Sequence, residues 1–252
     1  MVANNGIDRH LLKELQAEEN VIIHGNGTNV GLAAGLNLCI KKFIGSPTLD
    51  SIVLFDQDSE PDVELPERLY RSYTDLSGIV AVGCLGPLIN DVKSNRKAKK
   101  AKTRLIKVAT LATSGTFVEK ETFKLVGLMR EEFFIDCLDH DWCFRARSFG
   151  FESYIDQSIV MQHNMGDSGL NFLGVYKPVH KSPIRHYYII RNTIACIYST
   201  YVPLHWKISE ILKTARRIAF YPIVSSDRKR TLKAICYGLV DGLRNNFKNR
   251  SI

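Results

Sequence analysis

The chain has 252 residues, of which 45% are hydrophobic and 24% charged, and its formal net charge is +8. This composition is ordinary for a folded globular protein and excludes an intrinsically disordered chain. The six cysteines form no Cys-x-x-Cys pair, which argues against a zinc site or a disulfide framework and indicates reduced thiols in a cytosolic compartment. The sequence has neither a signal segment nor an apolar stretch long enough to span a bilayer, so we expect a soluble or peripheral protein.

The positive charge is concentrated in two segments. Residues 93–107 contain eight basic and no acidic side chains, residues 201–252 contain eleven basic and three acidic ones, and the rest of the chain is net negative. Basic segments can contact nucleic acid, anionic membranes or phosphorylated ligands. No nucleic-acid-binding motif accompanies them, so we expect no nucleic-acid partner. We interpret residues 93–107 as a solvated loop, with contact to an anionic lipid surface as the alternative.

Short apolar segments alternate with helical patterns over the first two thirds of the chain. The hydrophobic spacing predicts helices over 10–19, 32–43, 65–76 and 121–128 and strands over 21–24, 52–55, 79–85, 108–117 and 153–162. This alternation is typical of an α/β fold with a largely parallel sheet.

Two glycine-containing turns lie near the N-terminus. Residues 4–6 read Asn-Asn-Gly after the last residues of a strand, and residues 25–31 join a strand to a helix. Glycine-rich turns of the second kind bring backbone N–H groups close to anions. A plain strand-to-helix turn is the alternative, because the G-x-G-x-x-G nucleotide-binding spacing is absent.

Residues 51–60 read SIVLFDQDSE, an apolar strand that ends in acidic residues. Asp56, Asp58 and Glu60 occupy alternate positions after the strand. In open α/β sheets, ligands bind beyond the carboxyl ends of the strands, and Mg²⁺ or Mn²⁺ takes carboxylate oxygens together with substrate phosphates. The segment therefore predicts a site for a metal-bound diphosphate, with a solvated acidic turn as the alternative.

A second group of acidic residues surrounds the start of a predicted helix. Asp139 and Asp141 would lie in its first turn, where the helix dipole favours anions and keeps a carboxylate ionised, as a general base must be. Asp136 is the candidate N-cap, and capping is the alternative role for the group.

The last third of the chain contributes further candidates. His163 ends a strand and is a plausible metal ligand if it reaches Asp58, whereas residues 182–192 are rich in Arg, His and Tyr and suit contacts with a diphosphate or sugar hydroxyls. Two amphipathic helices follow within residues 201–252, for which we expect packing against the main domain, with a membrane surface as the alternative. Their apolar stripes are Ile208, Ile211, Leu212, Ala215 and Ile218 in the first helix and Leu232, Ile235, Leu239, Val240, Leu243 and Phe247 in the second.

Taken together, these segments resemble family-2 nucleotide-sugar glycosyltransferases of the GT-A fold, and most closely their bacterial rhamnosyltransferase branch. The matching segments occur in the family's order and are residues 4–6, 29–37, 56–59, 113–115, 134–146, His163 and residues 185–192. The resemblance implies an α/β GT-A domain over residues 1–200, with a mixed, mainly parallel sheet, and a basic helical extension over residues 201–252.

The resemblance also implies roles for individual residues. Asp139 would be the catalytic base that deprotonates the acceptor hydroxyl, and Asp141 would support it. Asp58 and His163 would hold Mg²⁺ or Mn²⁺ on the diphosphate of the donor. The residues that would contact the donor are Asn4, Asn29, Gly31, Asp56 and Arg191.

Family members begin with a further strand that forms one wall of the nucleotide pocket. No such strand precedes Val2 here, so we expect an N-terminally truncated glycosyltransferase. Many members also have Asp where this chain has Asn4, and we expect that difference to weaken a contact with the nucleotide base.

The leading functional hypothesis is the inverting transfer of L-rhamnose from dTDP-L-rhamnose to a lipid-linked glycan precursor of an O-antigen or capsule. The resemblance implies a cytoplasmic enzyme, peripheral at the inner face of the bacterial membrane. Two alternatives stay open, a metal-dependent nucleotidyltransferase and a non-catalytic remnant that binds a membrane or a partner. Release of a nucleoside diphosphate rather than pyrophosphate would separate the two enzymes.

Overall fold

A computed structural model gives the fold of the chain. The residues that it describes are 1–91, 103–163, 170–172, 175–177, 182–248 and 250. Most of the basic loop predicted over residues 93–107 lies outside them.

Most of the predicted helices and strands occur in the predicted order. The helices are α1 (Arg9–Ala17), α2 (Leu32–Gly45), α3 (Leu65–Ser77), α4 (Lys120–Val126), α5 (Leu138–Ser148), α6 (Pro183–Tyr198), α7 (Leu204–Val224) and α8 (Arg228–Leu243). The strands are β1 (Val2–Ala3), β2 (Ile23–His24), β3 (Ser51–Leu54), β4 (Ser59–Glu60), β5 (Val82–Asp91), β6 (Leu105–Val108), β7 (Thr116–Glu119), β8 (Glu152–His163), β9 (Leu170–Phe172) and β10 (Val175–Lys177). The structure adds α6, β4, β9 and β10, which were not predicted.

The single strand predicted over residues 108–117 is wrong. β6 ends at Val108, β7 begins at Thr116, and a loop of small residues connects them. The Thr116 hydroxyl donates to the Ala112 carbonyl at 2.5 Å, and the Thr116 N–H donates to the Thr113 carbonyl at 3.1 Å. Both bonds are formed within residues 112–116 and hold them in a turn. The carbonyls of Ala112 and Thr113 are therefore not available to pair with a neighbouring strand.

The central sheet is mixed. Six strands are present, in the order β3-β7-β5-β8-β4 with β6 also paired to β8, while β1 and β2 form a separate parallel pair. The α/β fold class is confirmed, but among the described strands of the six-stranded sheet only β5 and β8 pair in parallel. The mainly parallel pairing expected from the sequence is not found because β7 lies antiparallel between β3 and β5.

Helices cover both faces of the sheet. Successive residues of a strand point to opposite faces, so Val118 packs on α2, α4 and α5 while its neighbour Phe117 packs on α3. Cys84 and Leu85 in β5 also point to opposite faces, with Cys84 in the same core as Val118 and Leu85 in the same core as Phe117. The carboxyl end of β3 and the start of α5 are therefore held by one continuous core.

The three C-terminal helices pack on one another and on this core. α6 is almost entirely buried and makes its most extensive contact with α8. The group of packed helices therefore begins with α6, at Pro183, and the domain boundary after residue 200 stays a prediction. Within the described residues, no helix is both long enough and apolar enough to cross a bilayer.

Candidate active site

The acidic segment after β3 lies against the loop that precedes β7. Because β3 and β7 pair antiparallel, with Leu54 opposite Thr116, the residues that follow β3 meet those that precede β7. The Gly115 N–H donates to the Leu54 carbonyl at 2.7 Å. The hydroxyls of Ser59 and Ser114 also hydrogen-bond to each other. Two segments that were predicted separately thus form one junction.

This junction continues into β4, which pairs with the end of β8. Ser59 lies opposite His163 in that pairing, so the backbone of His163 is beside the residue that follows Asp58. Asp56 and Asp58 are both half-buried. The side chain of His163 belongs to the part of the chain that is not described, and its role as a metal ligand stays a prediction.

Asp139 reaches the same junction from the first turn of α5. Together with Leu54, Thr113 and Thr116, it lines a depression between the end of β3 and the start of the helix. One carboxylate oxygen accepts the N–H of the next residue, His140, at 2.8 Å. The half-buried carboxylate borders the depression, and its role as the catalytic base stays a prediction.

Asp141 has a different environment from Asp139, although only one residue separates them. Its side chain is completely buried. It accepts hydrogen bonds from Arg145 at 3.0 Å, Arg130 at 3.5 Å and the Tyr201 hydroxyl at 2.5 Å. Burial and the bond to this carboxylate raise the pKa of Tyr201. Asp141 therefore joins α5 to two other segments, and its predicted support of Asp139 stays a prediction.

The loop before α5 has an unusual backbone. Phe134, Asp136 and Cys137 have φ values of 63°, 66° and 65°, a region that residues other than glycine seldom occupy. The Ile135 N–H donates to the Phe133 carbonyl at 2.7 Å, which closes a γ-turn around Phe134. This conformation costs free energy, so other parts of the structure must hold it.

Side chains of α6 hold this loop. Asn192 donates its amide to the carbonyls of Phe133, Ile135 and Asp136 at 2.8, 2.8 and 3.0 Å. The ring of Tyr188 stacks on Phe134 with the centroids 4.9 Å apart. Four backbone and ring groups of the loop are thus fixed by two residues of one helix face.

Arg191 and Arg185 complete the attachment of α6 to the loop. The fully buried Arg191 guanidinium donates to the Glu132 carbonyl at 2.7 Å and to the Phe133 carbonyl at 3.2 Å. Arg185 pairs with the Asp136 carboxylate at 3.1 Å. The other guanidinium nitrogens of Arg191 donate to Asn192 at 3.0 Å and to the Tyr187 hydroxyl at 3.5 Å, and its predicted contact with the nucleotide-sugar donor stays a prediction. Asp136, predicted as an N-cap, instead forms this ion pair.

The two N-terminal turns are joined by Asn5, a residue that was not singled out from the sequence. Its amide donates to the Gly31 carbonyl at 3.0 Å, and its oxygen accepts the Val30 N–H at 2.7 Å. Asn4 is buried and accepts the Gly27 N–H through its backbone at 3.2 Å. The predicted nucleotide-contacting turns therefore form a single unit.

Gly31 connects this unit to the loop before α5. It has a φ of +90°, and a Cβ at this position would lie 2.5 Å from the Phe134 ring. Only glycine fits such a close approach, so packing is sufficient to explain this residue. Asn29 is exposed, and its side-chain oxygen accepts the Gly31 N–H at 3.0 Å. Both residues were predicted to contact the nucleotide-sugar donor. Asn29 is exposed on the surface of the turn, whereas Gly31 is buried.

His140 and Thr110 are further polar residues at the start of α5 that the sequence patterns did not indicate. The Nδ1 atom of His140 is 2.9 Å from the Thr110 hydroxyl, and its ring contacts Trp206 of α7 with the centroids 5.7 Å apart. Thr110 also lines a cavity of about 220 Å³ between β5 and the loop before β7.

Comparisons with known proteins agree with this architecture. No protein-family model matches the chain. The sequence is 29% identical to the dTDP-rhamnosyl transferase RfbF of Shigella flexneri over 97% of this chain and 86% of that protein. The structure of S. aureus TarS 1–349 in complex with UDP-GlcNAc superimposes with a TM-score of 0.55 and 12% identity, covering 94% of this chain and 75% of that one. The chain is a glycosyltransferase of the GT-A fold.

A second structural relative of this glycosyltransferase carries a metal ion in its crystal structure. GalNAc-T7, with UDP, GalNAc and Mn²⁺ bound, superimposes with a TM-score of 0.53 and 15% identity, covering 94% of this chain and 47% of that one. At this identity the likeness supports the fold alone.

The carboxylates after β3 fit a metal ion that binds together with its phosphate ligands. In the described part of the glycosyltransferase, no three His, Cys, Asp or Glu side chains form a group that could hold a metal. A Mg²⁺ or Mn²⁺ ion on a diphosphate needs only one or two protein carboxylates, since phosphate oxygens and water complete its shell. Asp58, with Asp56 beside it, can supply these from the half-buried junction.

Proposed function

We propose that this glycosyltransferase transfers L-rhamnose from dTDP-L-rhamnose to a hydroxyl of a lipid-linked glycan precursor, with inversion at the anomeric carbon. The observation that supports this proposal is that Asp139 lines one depression with Leu54, the last residue of the strand that leads into Asp56 and Asp58. The identity of the sugar is supported by the similarity to the dTDP-rhamnosyl transferase along nearly the whole chain. The acceptor class that we propose is an O-antigen or capsule precursor.

In the proposed reaction, Asp139 takes the proton of the acceptor hydroxyl. The acceptor oxygen attacks the anomeric carbon as the bond from that carbon to the diphosphate oxygen breaks, and dTDP leaves with the bonding electron pair. Attack from the side opposite the leaving group inverts the anomeric centre. A general base of this kind contributes about 10²- to 10⁴-fold to the rate, and the fixed position of α5 holds it in place.

The donor is bound by the turns and by the junction after β3. Asn4, Asn29 and Gly31 contact the nucleotide from the unit that Asn5 holds together, and Asp56 contacts the ribose or the sugar. Asp58 and His163 would hold Mg²⁺ or Mn²⁺, which would neutralise the charge of the departing diphosphate. The described contacts of Arg191 are all within the protein, so its role here is to position the loop before Asp139.

The enzyme acts on a lipid-linked acceptor at the inner face of the cell membrane, as a peripheral protein. This location is supported by the nature of the proposed acceptor and by the eleven basic residues against three acidic ones in residues 201–252. Anionic lipids attract such segments.

The proposal is tested with the Asp139→Asn variant. The intact chain is incubated with dTDP-L-rhamnose, Mn²⁺ and a panel of lipid-linked sugar acceptors, and released dTDP is measured. We expect the variant to lose about 10³-fold in kcat, because an amide cannot accept the proton. Its affinity for the donor, measured by isothermal titration, should stay within about twofold, because Asp139 contacts the acceptor side.

The matched control is Asp75→Asn, which removes an exposed carboxylate on α3 and should leave both quantities unchanged. Full turnover in Asp139→Asn would remove this residue from the reaction. Release of pyrophosphate in place of dTDP would indicate nucleotidyl transfer. Donor binding that is indifferent to EDTA would contradict the metal assignment.

A further inference from the structure

The outward face of α7 is apolar along its whole length. Its exposed large side chains are half to about 70% accessible to solvent and follow one another at helical spacing: Leu204, Ile208, Ile211, Leu212, Phe220 and Ile223. Ala215 and Ala219 fill the same stripe and are also exposed. A continuous apolar stripe of this length on a surface marks an interaction site.

The inward face of the same helix is mixed, since Trp206, Ile218 and Tyr221 pack against the apolar cores beneath it. Glu210 and Thr214 are its two buried residues. Glu210 is neutralised from within the helix by Lys213 at 2.7 Å and by Arg217 at 3.3 Å. A helix on the surface of a water-soluble protein normally has apolar residues inside and charged residues outside. α7 also carries large apolar side chains on its outward face, which indicates that it has a second apolar environment to contact.

The charges around this face are positive. Residues 201–252 contain three acidic side chains, and each has a cationic partner in the structure. Glu210 is paired as described, Asp227 pairs with Arg230 at 3.6 Å, and Asp241 pairs with Arg250. Cationic side chains that include Arg216, Arg228 and Lys229 remain exposed. An apolar stripe flanked by cations is complementary to a lipid surface that carries negative headgroups.

We propose that the outward face of α7 binds the surface of an anionic lipid bilayer. The helix lies parallel to the membrane, with its apolar stripe at the boundary between headgroups and acyl chains and its cations among the headgroups. A second copy of the chain is a less suitable occupant. A symmetric contact through this face would bring the same cations of both copies together without acidic partners.

The position of α7 relates this surface to the candidate active site. Trp206, in the first turn of α7, contacts His140 and Phe144 of α5 with ring centroids 5.7 and 5.3 Å apart. The bilayer-binding face therefore begins beside the helix that carries Asp139. The inference deepens the proposed function and rests on it for this last point, since a lipid-linked acceptor would enter from the same side.

Vesicle binding by the intact chain, without donor or metal, tests the proposal. The chain is floated with vesicles of phosphatidylethanolamine and phosphatidylglycerol, and separately with vesicles of phosphatidylcholine alone. We expect binding to the first, and at least about tenfold weaker binding to the second or in high salt. The Ile208→Gln/Leu212→Gln variant should bind the anionic vesicles about tenfold or more weakly, because it interrupts the centre of the stripe.

The control is Leu11→Gln/Leu125→Gln, which removes two comparably exposed leucines from α1 and α4 and should bind like the unmodified chain. Circular dichroism and urea unfolding establish that both variants are folded. Equal vesicle binding by the two variants, or no binding by the unmodified chain, would overturn the proposal. So would a dimer in solution that the α7 variant alone converts to a monomer.

A transfer assay with a water-soluble acceptor separates this inference from the proposed function. The α7 variant should retain donor binding and transfer to the soluble acceptor while losing vesicle binding. If the chain binds vesicles but transfers no rhamnose, the proposed function fails and the membrane-binding face stands. If the chain transfers rhamnose normally but does not bind vesicles, the proposed function stands and the membrane-binding face of α7 fails.

Discussion

α7 and α8 follow one another in the chain and share the same sequence signature, yet they use it differently. Both were predicted as amphipathic helices with an apolar stripe and a basic polar face. In the structure, α8 packs against α6 through Ala234, Ile235 and Gly238, which are all buried. In α7, the predicted stripe points outward, and Glu210 lies on the inside.

The difference shows that hydrophobic periodicity identifies an apolar face but not what covers it. α8 can approach α6 closely because Gly238 has no side chain. A Cβ at this position would lie only 2.8 Å from the Tyr187 carbonyl. Small residues set the contact, and the larger Leu232 and Leu243 of the predicted stripe remain exposed. α7 packs inward through Trp206, Ile218 and Tyr221 beside the buried Glu210 and Thr214, and its outward apolar residues are left to contact something else.

Of the substitutions that test this difference between α7 and α8, we expect the largest loss of stability at the contact between α6 and α8. In Gly238→Leu the side chain must displace the α6 backbone, because the carbonyl of Tyr187 occupies its space. We expect the free energy of unfolding to fall by about 3 kcal/mol, measured by urea unfolding. Gly45→Ala, in an open position at the end of α2, is the control and should be neutral or stabilising by up to about 1 kcal/mol. Equal effects would show that the close packing of α8 is not important for stability.

A smaller, pH-dependent effect is expected at the end of α8. The hydrogen bond from Arg250 and those from Tyr187 and Asn246 hold the pKa of Asp241 below its ordinary value of 3.8. A carboxyl group whose pKa is lower in the folded chain stabilises it above pH about 4 and loses that contribution as the pH falls through the folded pKa.

Asp241→Asn should therefore cost about 1–3 kcal/mol at pH 7. The difference in unfolding free energy between the variant and the unmodified chain should shrink as the pH is lowered below 4. Denaturant unfolding from pH 7 to pH 3 measures it. If the difference in unfolding free energy does not change with pH, the charge of the Asp241 carboxylate does not stabilise the contact between α8 and α6.

The smallest effect is expected inside α7. The buried Thr214 hydroxyl finds no hydrogen-bond partner among the described residues, whereas the buried Thr231 hydroxyl of α8 bonds to Ser225 at 2.7 Å. Thr214→Val should be neutral or stabilising by up to about 1 kcal/mol, and Thr231→Val should destabilise by about 1 kcal/mol. Thermal unfolding of the two variants measures these changes in stability. Changes of the same sign in both variants would mean that the buried hydroxyls of α7 and α8 do not differ in this way.

The sequence allowed the fold class and the main site segments to be predicted, since these depend on local patterns. The acidic residues after a strand end and those in a first helical turn lie where such positions place them. The burial of Asp141 and Arg191 could not be predicted, because it is decided by segments far away in the chain. Asp141 is enclosed partly by Tyr201, and Arg191 is enclosed by the loop before α5. His163 stays a prediction.

The attachment of the loop before α5 to α6 has a consequence for protein synthesis. Residues 134–137 adopt their backbone with Asn192 and Arg185 holding them, and these residues leave the ribosome about 50 positions later, which takes on the order of seconds at about 5–20 residues per second. A nascent chain that already contains every acidic residue of the site still lacks the groups that shape the loop before Asp139. Catalytic competence is therefore acquired late, after α6 has emerged, and chains terminated before it should fail to acquire it.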